Sequence, residues 1–519
     1  MNSLLFVKHR SQFRILLGVL LALCLLLALS VSPISAQPER TITIGLNATL
    51  ESMDVHTAIG PNVIGTRIYG LFHDTLLQTG HSGELEPMLA TAYENDGLEW
   101  RFSLRQGVVF HDGTTMSADD VVYSFGRLLD PANESSNFGQ DLQRFVSGIE
   151  ATGAMEVTIT THNLDPLLPL RVASYWASIV PAEATEAMDA ATRMSTPLGA
   201  GPYKAVEFVS GDRMVLVRHD DYWGGRPPAS EIVLRFITED ATRIAALQSG
   251  DVDLITQVPV DQIEALRSAD GLMVASAVTD LHMAVNFNTV KGPTADVNIR
   301  RAMSLAIDRE LIVQELWQGL ATVPPDYMFP GAFGHDPDFG GFAYDPETAR
   351  ELVAESEYDG TPINFQATAG YYANTDVIMP VMAQMWQDIG LNINYEPMEG
   401  SAFLDLYFAG DIMTNLQQFR GGGDGQRFFQ TWAVENIWRP NYYQPVAEYD
   451  ELFTSIAQSV DVDARYAGLQ ALKALFDADV PVAPIYRNID IYAFSDSLDW
   501  RPGPGFIMNL RPYNLSLAD

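Results

Sequence analysis

Residues 100–125 read WRFSLRQGVVFHDGTTMSADDVVYSF. The first five positions alternate large apolar and polar side chains, which is the period-two pattern of a strand with one buried face. Ser117 followed three residues later by Asp120 is a helix-capping pattern, and Val121 and Phe125 begin the apolar stripe of the helix that follows. A strand and an amphipathic helix in close succession predict a mixed α/β fold for this part of the chain.

Helix and strand patterns alternate in the same way on both sides of this stretch. Residues 206–209 and 214–217 flank Ser210-Gly211-Asp212, which predicts a hairpin. Asp296 and the pair Asp345-Pro346 are typical helix starts. Further helices are predicted over residues 242–248, 379–389 and 465–476, with strands over 41–45, 251–255 and 391–394. No tandem period interrupts this order, so the whole chain is predicted to be α/β.

The amino terminus has the pattern of a secretory signal. Three basic residues are followed by an apolar run over residues 15–31 and by a Pro-Ile-Ser-Ala segment that ends at Ala36. Removal of residues 1–36 is therefore predicted, which indicates export to the periplasm. An uncleaved membrane anchor is the alternative, because about 18 apolar residues can span a bilayer. The only cysteine, Cys24, lies inside the run, so the mature chain is predicted to have no disulfide or thiolate chemistry.

Length and charge limit the classes of protein that fit this sequence. At 519 residues the chain is too long for one hydrophobic core, so two or three lobes are expected. A net charge of −35 argues against electrostatic attraction to nucleic acid or to anionic lipid. We therefore expect no nucleic-acid partner. The protein is also expected to be a monomer.

No signature of a common catalytic site is present in the sequence. The serine-hydrolase elbow, the His-Glu-x-x-His zinc motif and the phosphate-binding loop are all missing. The nine histidines are scattered without metal-ligand spacing, and Asp119-Asp120 is explained by the helix start. We therefore predict no catalytic residue, no metal and no cofactor. An extracellular hydrolase is the weakest alternative, because it needs two facing carboxylates, one with a raised pKa.

A series of motifs extends over almost the whole mature chain. The motifs lie at residues 85–90, 100–105, 108–113, 118–124, 197–203, 221–225, 245–253, 300–309, 344–349 and 481–486. In this order they resemble the family 5 solute-binding proteins, the oligopeptide, dipeptide and nickel receptors of ABC importers. Gly199 and Gly201, in the Gly-Pro-Tyr segment, are expected to adopt backbone angles closed to other residues.

The resemblance implies a two-lobe α/β fold of the periplasmic-binding-protein type II kind, with an inserted domain and a central ligand cleft. It places the first lobe at residues 37–72, 196–283 and 495–519, the inserted domain at 73–195 and the second lobe at 284–494. It further implies a non-enzymatic receptor that closes on a peptide-like or similar small solute and delivers it to the permease of an ABC transporter. A metal-chelate receptor, or an oligosaccharide or opine receptor, is an alternative on the same fold. Histidine and arginine meeting in the cleft would favour the metal chelate.

The resemblance also indicates how the ligand is held. Peptide-binding relatives bind the ligand's ammonium group through an acidic residue in a glycine-rich loop. In residues 417–429 that position is Gly421, and Asp424 matches a later acid. The arginine that binds the ligand carboxylate in dipeptide receptors has no counterpart in residues 367–372. The sequence therefore lacks both charged partners of the simple dipeptide mode, and enclosing an unpaired charge is costly.

Other side chains of the same segments are the candidates for ligand contact. The predicted ligand-binding residues are Tyr371, Tyr372, Arg420, Asp424, Phe429 and Trp432. Together with Arg427 they suit a ligand that has carboxylate, amide or sugar-like groups and an apolar face.

Overall fold

The computed structural model describes residues 40–50, 52–57, 63–80, 84–130, 137–368, 374–433, 439–503 and 508–517. The predicted signal segment, residues 1–36, lies outside the described residues, and so do Tyr371 and Tyr372.

The strands of the described residues occur along the chain in the following order. They are β1 (Thr41–Leu46), β2 (Leu77–Thr79), β3 (Leu85–Pro87), β4 (Ala90–Asp96), β5 (Glu99–Leu104), β6 (Val146–Gly153), β7 (Glu156–Thr161), β8 (Tyr203–Val209), β9 (Arg213–Arg218), β10 (Glu231–Phe236), β11 (Leu254–Thr256), β12 (Leu272–Phe287), β13 (Ile363–Thr368), β14 (Ile393–Met398), β15 (Thr414–Arg420), β16 (Val482–Ser495), β17 (Leu498–Trp500) and β18 (Leu515–Leu517).

The α-helices lie between these strands. They are α1 (Val63–Phe72), α2 (Ala118–Leu129), α3 (Asn137–Phe145), α4 (Leu168–Val172), α5 (Ala182–Ala187), α6 (Ala190–Ser195), α7 (Asp240–Ser249), α8 (Ile263–Arg267), α9 (Val297–Leu305), α10 (Arg309–Trp317), α11 (Pro346–Glu355), α12 (Thr375–Asp388), α13 (Gly400–Ala409), α14 (Gly425–Phe429), α15 (Ala447–Ala457) and α16 (Val462–Asp479). None of the helices in the described ranges is both long enough and apolar enough to cross a membrane.

A mixed sheet of ten strands connects the two lobes. Its order is β14-β13-β15-β12-β16-β11-β1-β10-β9-β8. The two long strands β12 and β16 are antiparallel neighbours in the middle, where β12 also pairs with β15 and β16 with β11. These two strands therefore belong to both lobes, and their pairing is irregular between Val278 and His282.

Separate hydrophobic cores lie on the parts of this framework. One core packs around β1, β9 and β10 and includes Ile44 and Leu234, both 0% exposed. A second packs β13 against α12 and includes Phe365 and Trp386, also 0% exposed. A third belongs to the four-stranded antiparallel sheet β4-β5-β7-β6, which α2 covers. The α/β class and the two-lobe architecture are confirmed. The exact lobe boundaries stay a prediction.

The local predictions around the opening stretch are confirmed in detail. The Ser117 backbone N–H donates to Asp120 Oδ2 at 2.8 Å, and the Ser117 hydroxyl donates to the same oxygen at 3.0 Å. The hairpin forms between β8 and β9. Asp296 and Asp345 both accept hydrogen bonds from the first turns of their helices.

Two predicted strands begin later than expected, and the first is β14, which begins at Ile393 instead of residue 391. In the second, residues 251–255 were expected to be extended, but β11 begins at Leu254. The reason for the late start of β11 lies in the end of α7, where Gly250 has φ +79° and the N–H groups of Asp251 and Val252 both donate to the Ala246 carbonyl. These two N–H groups therefore close the helix terminus and are lost to the sheet ladder.

The expected role of Gly199 and Gly201 is wrong in its mechanism. Neither glycine has a positive φ. A Cβ at Gly199 would lie 2.2 Å from the Phe72 carbonyl oxygen, and one at Gly201 would lie 2.5 Å from the Phe72 carbonyl carbon. The two positions need glycine because the backbone at the end of α1, at Phe72 and His73, passes directly against them.

Candidate ligand cleft

The glycine-rich segment that follows β15 forms a tightly held loop at the middle of the sheet. The Gly421 N–H donates to the Asp280 carbonyl at 2.9 Å, and the Gly421 carbonyl accepts from the Phe329 N–H at 2.6 Å. The Gly423 carbonyl accepts from the Phe333 N–H at 2.9 Å. The loop is thereby fixed to β12 on one side and to the segment 329–333 on the other.

Two contacts explain why the position expected to be acidic is a glycine. A Cβ at Gly421 would lie 2.9 Å from the Phe329 ring, and a Cβ at Gly422 would lie 2.9 Å from the Asp280 Cβ. Both distances are too short for a side chain. The close approach of the loop to its neighbours therefore excludes an acid at residue 421.

The nearest acidic group comes from the neighbouring strand. The Asp280 carboxylate forms an ion pair with the Arg420 guanidinium, and the two side chains are 31% and 51% exposed. Burial raises the pKa of Asp280, but the charges of Arg420 and Arg427 outweigh it and hold the pKa below its usual value. Asp280 is thus ionised at neutral pH, and it is already paired with a side chain of the protein.

Residues of the first half of the chain face this loop. A Cβ at Gly423 would lie 3.4 Å from Leu170 Cδ2. The pKa of Arg420 is raised chiefly by Asp280, and the Tyr175 phenol is close enough to add to the shift. Tyr175 itself stacks on Tyr69, with ring centroids 5.5 Å apart. The part of the chain that includes α4 and the part that follows β15 therefore meet here and form the two walls of a cleft.

Arg427 lies at the same place, on the short helix α14. Its Nη1 is 3.8 Å from the Cβ position of Gly423, next to Leu170. The pKa of Arg427 is lowered to about 10, chiefly by burial and also by the positive charges of Arg420 and Arg171, which Asp280 and Asp424 partly offset. Arg427 is therefore a charged and partly buried guanidinium in the cleft.

The predicted ligand-binding residues lie at different depths. Arg420 is on the cleft surface. Asp424 accepts from the Gln426 N–H at 2.9 Å and from Arg465 Nη2 at 2.8 Å, so it caps α14 and closes a buried ion pair. Phe429 and Trp432 are 0% exposed and pack on Phe476, behind the cleft surface. Their direct contact with a ligand stays a prediction, as it does for Tyr371 and Tyr372.

Sequence reasoning missed Asp280, Leu170 and Tyr175. One signal for Asp280 was present, because it is the only acidic residue in the largely apolar run 272–287. A charge at such a position suggests a local role at an irregular part of a strand. Leu170 and Tyr175 lie in a short helical stretch without any distinguishing pattern, and only the three-dimensional arrangement brings them to the cleft.

A histidine and an arginine also lie close together beside the cleft. His282 and Arg487 are direct neighbours on β12 and β16, and the Arg487 guanidinium lies 4.0 Å from the centre of the Phe329 ring. The His282 ring is 0% exposed between Phe329 and Phe428, and burial lowers its pKa to about 3. Its nitrogens are shielded from a ligand, so this pair does not favour the metal-chelate alternative. In the ranges that the structure describes, no group of three or more potential ligands is arranged to hold a metal ion.

The sequence model described as "Bacterial extracellular solute-binding proteins, family 5 Middle" matches residues 84–447, which is most of the chain. The chain belongs to family 5 of the bacterial extracellular solute-binding proteins. Family 5 proteins are transport receptors, so the prediction of a non-enzymatic, extracytoplasmic solute-binding protein is confirmed.

Individual members of family 5 match over most of their length. Heme-binding protein A of Haemophilus influenzae is 27% identical over 79% of this chain and 80% of its own. A probable di/tripeptide-binding protein 5 of Pseudomonas aeruginosa is 27% identical over 70% of this chain and 71% of its own. The crystal structure of the ABC transporter substrate-binding protein CtaP of Listeria monocytogenes superposes with a TM-score of 0.83 at 19% identity, and covers 93% of this chain and 100% of CtaP.

Proposed function

We propose that this family 5 protein captures a peptide-like or similarly sized small solute in the cleft described above and delivers it to the permease of an ABC importer. One observation carries the proposal: Leu170 and Tyr175 lie opposite Gly423 and Arg420. The two pairs of residues belong to separate parts of the chain, and together they line one cleft. A solute held there touches both walls at once. Such a ligand stabilises the arrangement in which the walls are close.

The route of closure follows from the sheet. The long strands β12 and β16 carry the chain between the lobes, and their pairing breaks between Val278 and His282. A second irregularity lies between Met283 and Ala284. A hinge can absorb a change of backbone angles at a few residues where regular strand pairing is interrupted. Bending at these residues opens the cleft without disturbing either core, and the closed form presents one surface to the permease.

The solute class is proposed from the relatives and from the side chains. The related proteins carry names that refer to heme and to di- or tripeptides, which supports a small organic solute with polar groups. Arg420, with Tyr371 and Tyr372, is proposed to contact it, while Asp424, Phe429 and Trp432 support the wall. An oligosaccharide or opine remains an alternative ligand of the same cleft.

The cellular setting is proposed from the amino terminus. Cleavage after Ala36 releases the mature receptor, as a monomer, into the periplasm, and an uncleaved segment leaves it anchored in the membrane. Edman sequencing or intact mass of the exported protein distinguishes the two, because a start at Gln37 is the expected product.

A thermal-shift screen tests the proposed function directly. The mature protein is heated with peptides, opines, oligosaccharides and metal chelates, and a compound that binds the folded state alone raises the melting temperature. We expect at least one hit, recovered chemically unchanged by mass spectrometry. Chemical conversion of the hit would favour the hydrolase alternative, and a complete absence of hits would contradict the proposal.

A matched pair of variants shows whether a hit binds in the cleft. Leu170→Trp places a bulky ring against the loop at Gly423 and is expected to abolish the shift. Leu311→Trp makes the same change at a position of α10 that is 46% exposed, and the shift should remain. Loss of the shift in both variants, or in neither, would place the ligand elsewhere.

A further inference from the structure

In the described part of the chain, three arginine–carboxylate pairs lie around the cleft. Arg171 Nε lies 2.8 Å from Asp165 Oδ2. Arg420 is paired with Asp280. The next carboxylate along the loop, Asp424, accepts from Arg465 at 2.8 Å. Each of these carboxylates is therefore already bound to another arginine.

Among the described residues, Arg427 has no carboxylate partner of this kind, and neither does Arg487, which lies beside the cleft over the Phe329 ring. Within the described ranges, no carboxylate lies within ion-pair distance of the Arg427 guanidinium, and its side chain makes no hydrogen bond to the protein. Its closest charged neighbours of the same sign are Arg420 and Arg171. An enclosed cation that faces other cations is unfavourable unless a counter-charge arrives from outside.

The excess positive charge at the cleft is local and opposite in sign to the net charge of the whole protein. The chain has 66 acidic and 31 basic side chains, so a random surface region would be negative. Around the cleft, Asp165 and Asp280 balance Arg171 and Arg420, and Arg427 adds one further positive charge. An electropositive cleft in a strongly acidic protein concentrates anions where the rest of the surface repels them.

We propose that the solute carries a carboxylate and that Arg427 binds it, which makes Arg427 a specificity-determining residue for acidic over neutral solutes. This inference rests on the proposed solute-binding function and names the class of its ligand. The planar guanidinium matches a carboxylate with two parallel hydrogen bonds. Leu170, on the opposite wall, offers an apolar surface for the remainder of the solute.

This assignment differs from the way in which dipeptide receptors are expected to hold their ligand. There the ligand's ammonium group needs a free acid, whereas here Asp280 is neutralised by Arg420. The free charge in this cleft is positive, so the carboxylate end of the solute is the end that the protein selects.

Two tripeptide pools test the inference. One pool contains X-Glu-X peptides as free acids, and the other contains X-Gln-X peptides as carboxyl-terminal amides, with the same residues at X. Retention of each pool by the mature protein is measured by mass spectrometry after rapid gel filtration. We expect the wild-type protein to retain the acid pool at least about tenfold more than the amide pool, since one charge-assisted pair changes affinity by that order.

Variants assign this preference to one side chain. Arg427→Gln is expected to abolish the preference for the acid pool. Arg427→Lys keeps the positive charge but cannot form the two parallel hydrogen bonds, so it should retain part of the preference. Arg350→Gln changes an arginine on α11 that is 45% exposed and paired with Glu347, and it should behave as wild type. The melting temperature of Arg427→Gln without peptide is expected to equal or exceed that of the wild type, which separates a binding defect from misfolding.

Each outcome has a distinct meaning. Equal retention of both pools by the wild type would overturn the inference and leave the receptor function intact. A preference that survives in Arg427→Gln would remove the role of Arg427. Failure to retain either pool would count against both the acidic solute and the peptide-like ligand, whereas the thermal-shift screen above still tests the receptor function on other compounds.

Discussion

Arg67 and Asp490 form a bidentate ion pair that ties α1 to β16, with Arg67 Nη2 2.9 Å from Asp490 Oδ1. Their side chains are 0% and 2% exposed, and the Tyr492 hydroxyl also donates to Asp490 at 2.5 Å. Asp490 lies close to the irregular part of the β12–β16 pairing. The first lobe therefore holds β16 firmly beside the point where the strand passes to the second lobe.

Removal of one charge from this pair should destabilise the protein severely. Asp490→Asn leaves Arg67 buried without a counter-charge, and breaking a buried pair in this way costs about 3–5 kcal/mol. Urea unfolding measures the change in the free energy of unfolding. Asp270→Asn, at an exposed position, should change it by less than about 0.5 kcal/mol. A small effect of Asp490→Asn would show that the pair is not important for stability.

His56 should make the stability depend on pH. Its Nε2–H donates to the Ser178 carbonyl at 2.9 Å, and Nδ1 accepts from Arg127 Nη1 at 3.1 Å. Burial, helped by Arg127 and opposed by Asp54, lowers the pKa of His56 to about 4 from 6.5. The unfolded chain thus binds a proton that the folded protein does not bind between pH 6.5 and 4. Stability contributed by the neutral ring is complete above pH 6.5 and is lost as the pH falls.

The slope of stability against pH checks this assignment. In that window His56 should contribute about 1.4 kcal/mol per pH unit. His56→Gln keeps a donor and an acceptor but does not titrate, so the free energy of unfolding should fall less steeply between pH 6.5 and 4.5. Parallel pH profiles of the variant and the wild type would argue against a buried neutral His56.

The close approach at Gly201 predicts a severe effect of a single methyl group. Gly201→Ala places a Cβ 2.5 Å from the Phe72 carbonyl carbon, and since backbone cannot move aside as a side chain does, we expect a loss of about 1–3 kcal/mol or more. Gly126→Ala adds a methyl to an exposed turn of α2 with no heavy atom within 4 Å. It should stabilise the protein by up to about 1 kcal/mol. Similar melting temperatures for the two variants would contradict this contrast.

Asp280→Asn should increase the affinity for acidic solutes. The substitution removes the carboxylate paired with Arg420, so two guanidiniums in the cleft are left without a counter-charge. We expect the protein to lose stability without ligand and to bind an acidic tripeptide at least severalfold more tightly in calorimetric titration. Weaker binding of that tripeptide would show that Asp280 is itself a ligand contact.

Local chemistry in the sequence predicted the elements better than it predicted the site. The cap at Ser117, the hairpin at Gly211 and the helix start at Asp345 depend on residues a few positions apart, and they form as expected. The pairing of Asp280 with Arg420 depends on the order of strands in the sheet. No local sequence pattern contains the strand order, so the residues that line the cleft could be identified only from the three-dimensional structure.

Burial was the second property that the sequence did not reveal. Phe429 and Trp432 lie in the same segment as Arg420, yet they point into the aromatic core around Phe476. In a loop without a clear period, neighbouring aromatic and charged residues do not reveal which of them face a ligand.

Solution X-ray scattering of the mature protein tests the central claim most directly. Because Leu170 lies against the loop at Gly423, the two walls of the cleft are close together in this structure. Without solute, the protein is expected to open about the β12–β16 hinge. Saturation with a compound that raises the melting temperature should reduce the radius of gyration of the wild type but not that of Leu170→Trp. An unchanged radius of gyration in the wild type, with the compound tightly bound, would contradict capture by closure of the cleft.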